Sequence, residues 1–167
     1  MQAIQTVTVG SGGQASIEFT TIAADYTDLK VVVSGRCSTT DTTATLAFNT
    51  GGTYTRRTLL GSGSAASSNT SAVDFRISQS GDTASTFGNS EIYIPNYAGS
   101  TTKSYSVDSV NENNATAAFQ AITAGLWNQT AAITSIILTP GSGNFVEHSS
   151  ATLYGILAGS DGTTTVT

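Results

Sequence analysis

The chain has 167 residues, a formal net charge of -5 and a sequence pI near 4.5, and only 10% of its residues are charged, against a usual share of about a quarter. That length fits one domain with its own core. The acidic balance offers no basic patch for a phosphate backbone, so nucleic acid is not an expected partner. No run reaches the roughly 18 apolar residues of a membrane-spanning helix.

Serine, threonine and glycine (22, 29 and 17 residues) take the place of the missing charges. Threonine's branched Cβ suits a pleated surface, while glycine and serine suit turns. Met1 to Thr6 has neither the basic region nor the apolar run of a signal peptide, so the expectation is a chain made, and kept soluble, in a cytoplasm. The sequons at Asn69, Asn114 and Asn128 are then chance products of an Asn-, Ser- and Thr-rich composition.

In chain order, Ala3–Val9 predicts a first strand, closed by Ser11-Gly12-Gly13. Its apolar residues ahead of a Ser-Gly-Gly joint suggest that Met1–Val9 reaches to a neighbour. Ser16–Ile22 alternates, with Ile17 and Phe19 on one face. Leu29–Ser34 carries Val31, Val32 and Val33, as in a strand buried on both sides. Thr43–Asn49 places Leu46 and Phe48 on one face. Asn49-Thr50-Gly51-Gly52 then reads as a hairpin turn to a partner strand, Tyr54–Leu60. Gly61–Thr70 has the composition of a mobile loop. Val73, Phe75 and Ile77 alternate again, and Gly81–Thr86 is loop.

Ser90–Pro95 turns Ile92 and Ile94 to one side and Tyr93 to the other. Lys103–Val110 groups Tyr105 with Val107, and Asn111–Asn114 is a polar turn. Thr116–Trp127 fits a helix by its alanine spacing and a strand by the alternation of Phe119, Ala121, Thr123, Gly125 and Trp127. The absence of Glu and Lys favours the strand. Ala132–Thr139 is a strand ended by Pro140-Gly141-Ser142-Gly143. Ser150–Leu157 closes the domain with Leu153 and Ile156 on opposite faces. The result is an all-β chain of about ten short strands, an antiparallel β-sandwich of jelly-roll-like form. Residues 1–13 form an N-terminal strand or arm, 14–158 the sandwich domain and 159–167 a polar tail.

Little in this pattern points to catalysis. The eleven acidic residues sit in no paired motif, and Asp25 and Asp28 around Tyr26 read as turn caps. One cysteine, Cys37, and one histidine, His148, cannot build a zinc site, and nothing in the sequence pairs them as nucleophile and base. Cys37 reads as a small packed strand residue. Asp108, Asn111, Glu112, Asn113 and Asn114 offer oxygens for calcium without the glycine and spacing of an EF-hand. Gly10 to Gly13 and Gly61 to Gly63 lack the lysine and helix of a phosphate loop. No catalytic residue, metal or cofactor is expected. The best small-ligand idea is a sugar stacked on Tyr93, Tyr97, Tyr105, Trp127 or Tyr154, although such aromatics more often fill cores and interfaces.

Several strings carry a likeness. They are Phe87-Gly88-Asn89-Ser90-Glu91-Ile92-Tyr93-Ile94-Pro95-Asn96-Tyr97-Ala98-Gly99-Ser100 and Val107-Asp108-Ser109-Val110-Asn111-Glu112-Asn113-Asn114-Ala115-Thr116-Ala117-Ala118. Ala124-Gly125-Leu126-Trp127, Ala131 to Ile136, Ser142-Gly143-Asn144-Phe145, Ser16-Ile17-Glu18-Phe19 and Tyr26-Thr27-Asp28-Leu29 add to them. Together, across roughly residues 10–157, the chain resembles a family of small structural proteins of tailed bacteriophages, common among phages of aquatic bacteria. The resemblance implies a virion component. The leading expectation is a capsid decoration (cement) protein on the capsid exterior, a homo-oligomer such as a trimer that clamps the major capsid protein. The alternative is a tail, fibre or appendage subunit that contacts a host glycan. For either role the interface residues expected are Tyr54, Arg56, Tyr93, Tyr97 and Trp127. No membrane or nucleic-acid partner is implied.

Overall fold

The structure, a computed structural model, describes residues 1–112 and 118–157. Among them are twelve strands and no helix. In chain order these are β1 Gln2–Thr8, β2 Ile17–Phe19, β3 Asp28–Gly35, β4 Thr43–Phe48, β5 Tyr54–Gly61, β6 Ala66–Asn69, β7 Phe75–Arg76, β8 Gly88–Ile94, β9 Lys103–Asn111, β10 Phe119–Trp127, β11 Ile136–Pro140 and β12 Ser150–Ile156. They form an eight-stranded sheet in the order β1-β12-β3-β8-β9-β10-β5-β6 and a four-stranded sheet in the order β2-β11-β4-β7. Every neighbouring pair is antiparallel.

The expected antiparallel β-sandwich is therefore what the chain forms. The strands divide eight and four between the two sheets, and the architecture is that of a sandwich.

Alternation decides which face each strand turns inward. From the small sheet come Ile17, Phe19, Ala44, Leu46, Phe48, Phe75, Ile136 and Leu138, each at most 1% exposed. From the large sheet come Leu29, Val31, Val33, Ile92, Ile94, Val107 and Leu153, equally buried. Each of these side chains larger than Ala44 contributes roughly 1.5–3 kcal/mol when fully withdrawn from water. Phe48 joins the layers. Its ring stands edge-on to Tyr105 at 5.4 Å and to Trp127 at 5.7 Å, and lies 6.1 Å from Tyr54.

Three local readings change. Val32 faces outward and is half-buried, so β3 is covered fully on one side only. Thr43–Asn49 and Tyr54–Leu60 are not hairpin partners: β4 lies between β11 and β7, and β5 between β10 and β6. The Asn49–Gly52 turn instead carries the chain from one sheet to the other, with Asn49, Gly51 and Gly52 at positive φ. The Gly51 carbonyl accepts the Trp127 indole N–H at 3.1 Å, which ties the crossover to the core. Finally, where Gly61–Thr70 suggested a loop, β5 runs through Gly61 and β6 pairs back on it from Gly61↔Ala66 to Thr58↔Asn69. Main-chain bonds form this hairpin, which explains how a strand of Ala, Ser and Asn arises without a core contribution of its own.

Two cations, one buried and one half-buried, pin connections. Lys103, 1% exposed, donates to the carbonyls of Gly99, Thr101 and Thr130, and burial lowers its pKa. Arg36 donates to the carbonyls of Ser80, Asp82, Thr83 and Thr86 at 3.0–3.3 Å. That clasp fixes the Gly81–Thr86 loop.

Candidate interaction face

The large sheet has an inner face under the four-stranded sheet and an outer face turned to solvent. Its register sets out the outer residues in rows. One row runs Thr6, Thr152, Val32, Glu91, Asp108, Ile122, Leu59, Ser68 across all eight strands. The next runs Ala3, Tyr154, Lys30, Tyr93, Ser106, Ala124, Arg57.

The character of these rows changes midway. On β3 and β8 the outer residues are polar apart from Val32. Lys30 Nζ meets Glu91 at 2.7 Å, and the Tyr93 hydroxyl donates to Asp28 at 2.7 Å. That hydrogen bond, followed by burial, raises the Tyr93 pKa. On β5 and β10 the outer residues include the apolar Leu59, Ile122, Ala124 and Leu126 beside Thr55, Arg57 and Gln120. Leu59 and Ile122 stand directly opposite one another, 64% and 54% exposed, with Val110 on β9 38% exposed and Leu126, further along β10, 37% exposed. Depressions of about 360 and 330 Å³ lie on the two sides of the Leu59–Ile122 pair and reach to β6.

Beneath the Leu59–Ile122 pair the inner face of the same strands carries polar groups, set among Tyr54, Ala121 and Trp127. Thr58 and Thr123, 4% and 1% exposed, face one another with their hydroxyl oxygens 3.0 Å apart. Next along β5, Arg56 reaches Asp74, which is fully buried. The Asp74 carboxylate accepts from Arg56 Nε at 2.6 Å and Nη2 at 2.9 Å, from the Tyr105 hydroxyl at 2.6 Å and from the Leu46 backbone N–H at 2.8 Å. Burial works against the Arg56 charge, but the bonds and charge of Asp74 outweigh it and hold the guanidinium above its ordinary pKa. Burial, reinforced by Asp74, pushes the Tyr105 phenol far above its ordinary range.

Four donors occupy the roughly four lone-pair sites of a carboxylate. Asp74 is thereby committed to joining β4 of the small sheet to β5 and β9 of the large one, and is not placed to act as a base. Gly125, directly opposite Tyr105, makes room for the phenol ring: a Cβ there would lie 2.1 Å from it.

The residues singled out in the sequence fall into three groups. Tyr97 and Trp127 are 0% and 1% exposed and belong to the core, which corrects their expected place at an interface: each is large enough that packing outweighs surface use. Tyr97 also donates its hydroxyl to the Ala23 carbonyl. Arg56 serves the Asp74 network, and Tyr54, half-buried, lies under the Arg56 guanidinium at 4.7 Å while its hydroxyl accepts the Phe48 N–H at 2.7 Å. Tyr93 is on the outer face, 39% exposed. Of the possible sugar-stacking rings, Tyr105 is also buried, and Tyr154 is half-buried on the outer face.

Among the possible calcium ligands, Asp108 is on the outer face, Asn111 is buried and donates to the Ile77 carbonyl, and Glu112 is exposed. Asn113 and Asn114 lie outside the described residues. No group of three or more His, Cys, Asp or Glu suited to a metal occurs among the described residues. Cys37 is buried, its thiol directed at the Asp41 carbonyl at 2.8 Å, and His148 is exposed in a turn at φ 72°.

Sequence reasoning missed Asp74, Lys103 and the Leu59–Ile122 strip. The first two carried a weak signal, a charge inside an apolar alternation. The strip carried none, because alternation does not say which parity faces inward. Comparison of the chain with protein-family models, curated proteins and solved structures finds no match.

Proposed function

We propose that the chain is a structural component of a tailed-bacteriophage particle, a capsid decoration protein that docks on the shell of major capsid protein through the outer face of its large sheet. The observation that carries this reading is the inverted strand pair. Midway along them, β5 and β10 put Thr58, Thr123 and the Arg56–Asp74 pair inside and Leu59 and Ile122 outside, so these two apolar side chains gain further burial only when another surface covers them. The sequence resemblance supplies the particle. A rigid sandwich pinned by Asp74 and by the aromatic group around Phe48 suits a clamp that holds its face flat against a shell.

The tail or appendage reading with a host glycan draws less support, because three of its five proposed stacking rings, Tyr97, Tyr105 and Trp127, are core residues.

Quantitative mass spectrometry of purified particles tests the proposal. A decoration protein follows the symmetry of the shell and is present in copies on the order of hundreds. A count of about a dozen assigns the chain to the tail and overturns it.

A further inference from the structure

β1 is attached to the molecule in an unusual way. Its residues are exposed apart from a half-buried Val7, and Ile4 is 37% exposed. Its one neighbour in the sheet is β12. The strand is thus held by a ladder of main-chain bonds, with the hydroxyls of Thr6 and Thr152 3.0 Å apart and a bulge between Ala3 and Gln5 fixing its register. It ends at Val9, 1% exposed, whose N–H donates to the Ser149 carbonyl at 2.8 Å and whose carbonyl accepts the His148 N–H at 3.0 Å. The next fixed point is Gln14, which exchanges two main-chain bonds with Phe145 at 3.0 and 2.8 Å.

Between Val9 and Gln14 lie Gly10-Ser11-Gly12-Gly13. Gly12 and Gly13 are at φ 95° and 75°, and a Cβ at Gly10 or Gly12 would touch nothing. Three glycines in four residues give this connection more conformational freedom than one of side-chain-bearing residues.

From these features we propose that residues 1–9 exchange between copies, with β1 of one chain lying on β12 of a second. The proposal rests on the assembly reading only in requiring copies to meet. A strand that buries almost no side chain loses nothing by making the same ladder on an identical neighbour, which is why strand exchange is a low-cost route to oligomers. The occupant is a second copy because the bulge, the Thr6–Thr152 pair and the Val9 seat between Ser149 and His148 are complementary to this chain's own β1. Drawn out, the link from Val9 to Gln14 spans roughly 18 Å, so the exchanging copies sit side by side. Each exchanged strand, covalent with its own chain and hydrogen-bonded to the next, then tethers neighbours and raises the effective concentration of every other contact they share.

Two chains of different tag length, each with one added cysteine, test the exchange. One carries Thr6→Cys and the other Thr152→Cys, both on the outer face, while Cys37 stays buried. They are refolded together and treated with a short bis-maleimide. A hetero-linked dimer on a denaturing gel, with no linked product from either chain alone, is the expected result. Absence of the hetero-linked dimer overturns the proposal, as does a Thr6→Cys/Thr152→Cys chain that links wholly within itself and runs as a monomer. Neither result alters the copy number of the protein in particles, so strand exchange and the decoration role fail separately.

Discussion

Strands β3 and β8 and strands β5 and β10 belong to one sheet and lie under the same small sheet, yet they distribute polarity in opposite ways. In the first pair Val31 faces Ile92 inside and Lys30 faces Tyr93 outside. In the second Thr58 faces Thr123 inside and Leu59 faces Ile122 outside. The first pair follows the hydrophobic effect within a single chain. The second places hydroxyls and a buried ion pair where apolar groups would stabilise more, and leaves apolar groups where water meets them. Under the docking reading the difference separates two tasks: the β3–β8 half serves the fold alone, and the β5–β10 half serves the fold and also presents a face to a partner.

The largest expected effect tests whether the polar interior is as integral as the apolar one. Asp74→Ala removes the partner of Arg56 and strands the Tyr105 hydroxyl and the Leu46 N–H. Breaking a buried pair in this way costs about 3–5 kcal/mol, and Ile92→Ala in the apolar half costs about 2–5 kcal/mol by leaving a cavity. Urea unfolding of the two variants is expected to give comparable losses. A loss under about 1 kcal/mol for Asp74→Ala would remove the network from the fold's main supports.

Gly125→Ala is next. The added methyl meets the Tyr105 ring and forces it from Asp74, for an expected loss of about 1–3 kcal/mol with no change in hydrophobic pattern. Thr123→Val is expected to cost about 1–2 kcal/mol because it leaves the Thr58 hydroxyl buried without its partner. Thr58→Val with Thr123→Val should recover most of that, since replacing both partners by apolar groups of like shape is close to neutral. Thermal melts of the single and double variants read the difference.

Alkaline pH probes the same half. Tyr105 binds its proton more tightly in the folded state than in the unfolded one. Its contribution is therefore complete below the unfolded phenol's pKa of about 10 and is lost as pH rises above it. Stability is expected to fall there by up to about 1.4 kcal/mol per pH unit for this residue. A denaturant series from pH 9 upward measures the slope, and Tyr105→Phe should flatten it.

How much of this could be read beforehand follows from what alternation encodes. Period-two runs located Ile17 and Phe19, Leu46 and Phe48, Ile92 and Ile94, and Tyr105 with Val107, all of which are inside. The same rule is silent on sheet partnership. Asn49-Thr50-Gly51-Gly52 has hairpin composition, but β4 and β5 go to different sheets because Phe48 and Trp127 pack between the layers. β6 could not be anticipated from Ala66-Ser67-Ser68-Asn69, since its pairing uses the backbone and not its side chains. Tyr97 and Trp127 were misplaced for the opposite reason: an aromatic ring suits both a core and an interface, and only the fold decides between them. The outward direction of Leu59 and Ile122 likewise emerges only from the register.

The smallest expected effect on stability decides most about function. Leu59→Lys and Ile122→Lys add charge to side chains already more than half exposed, so each should shift unfolding by no more than about 0.5 kcal/mol. If the strip docks on the shell, the same variants desolvate an unpaired ammonium on binding and lose association with particles stripped of the protein. Lys30→Ala, in the polar half of the same face, leaves association intact under the same reading. Sedimentation of stripped particles with each variant separates the two halves of the sheet. Equal binding by all three variants would mean that the inverted polarity of β5 and β10 does not mark the docking face.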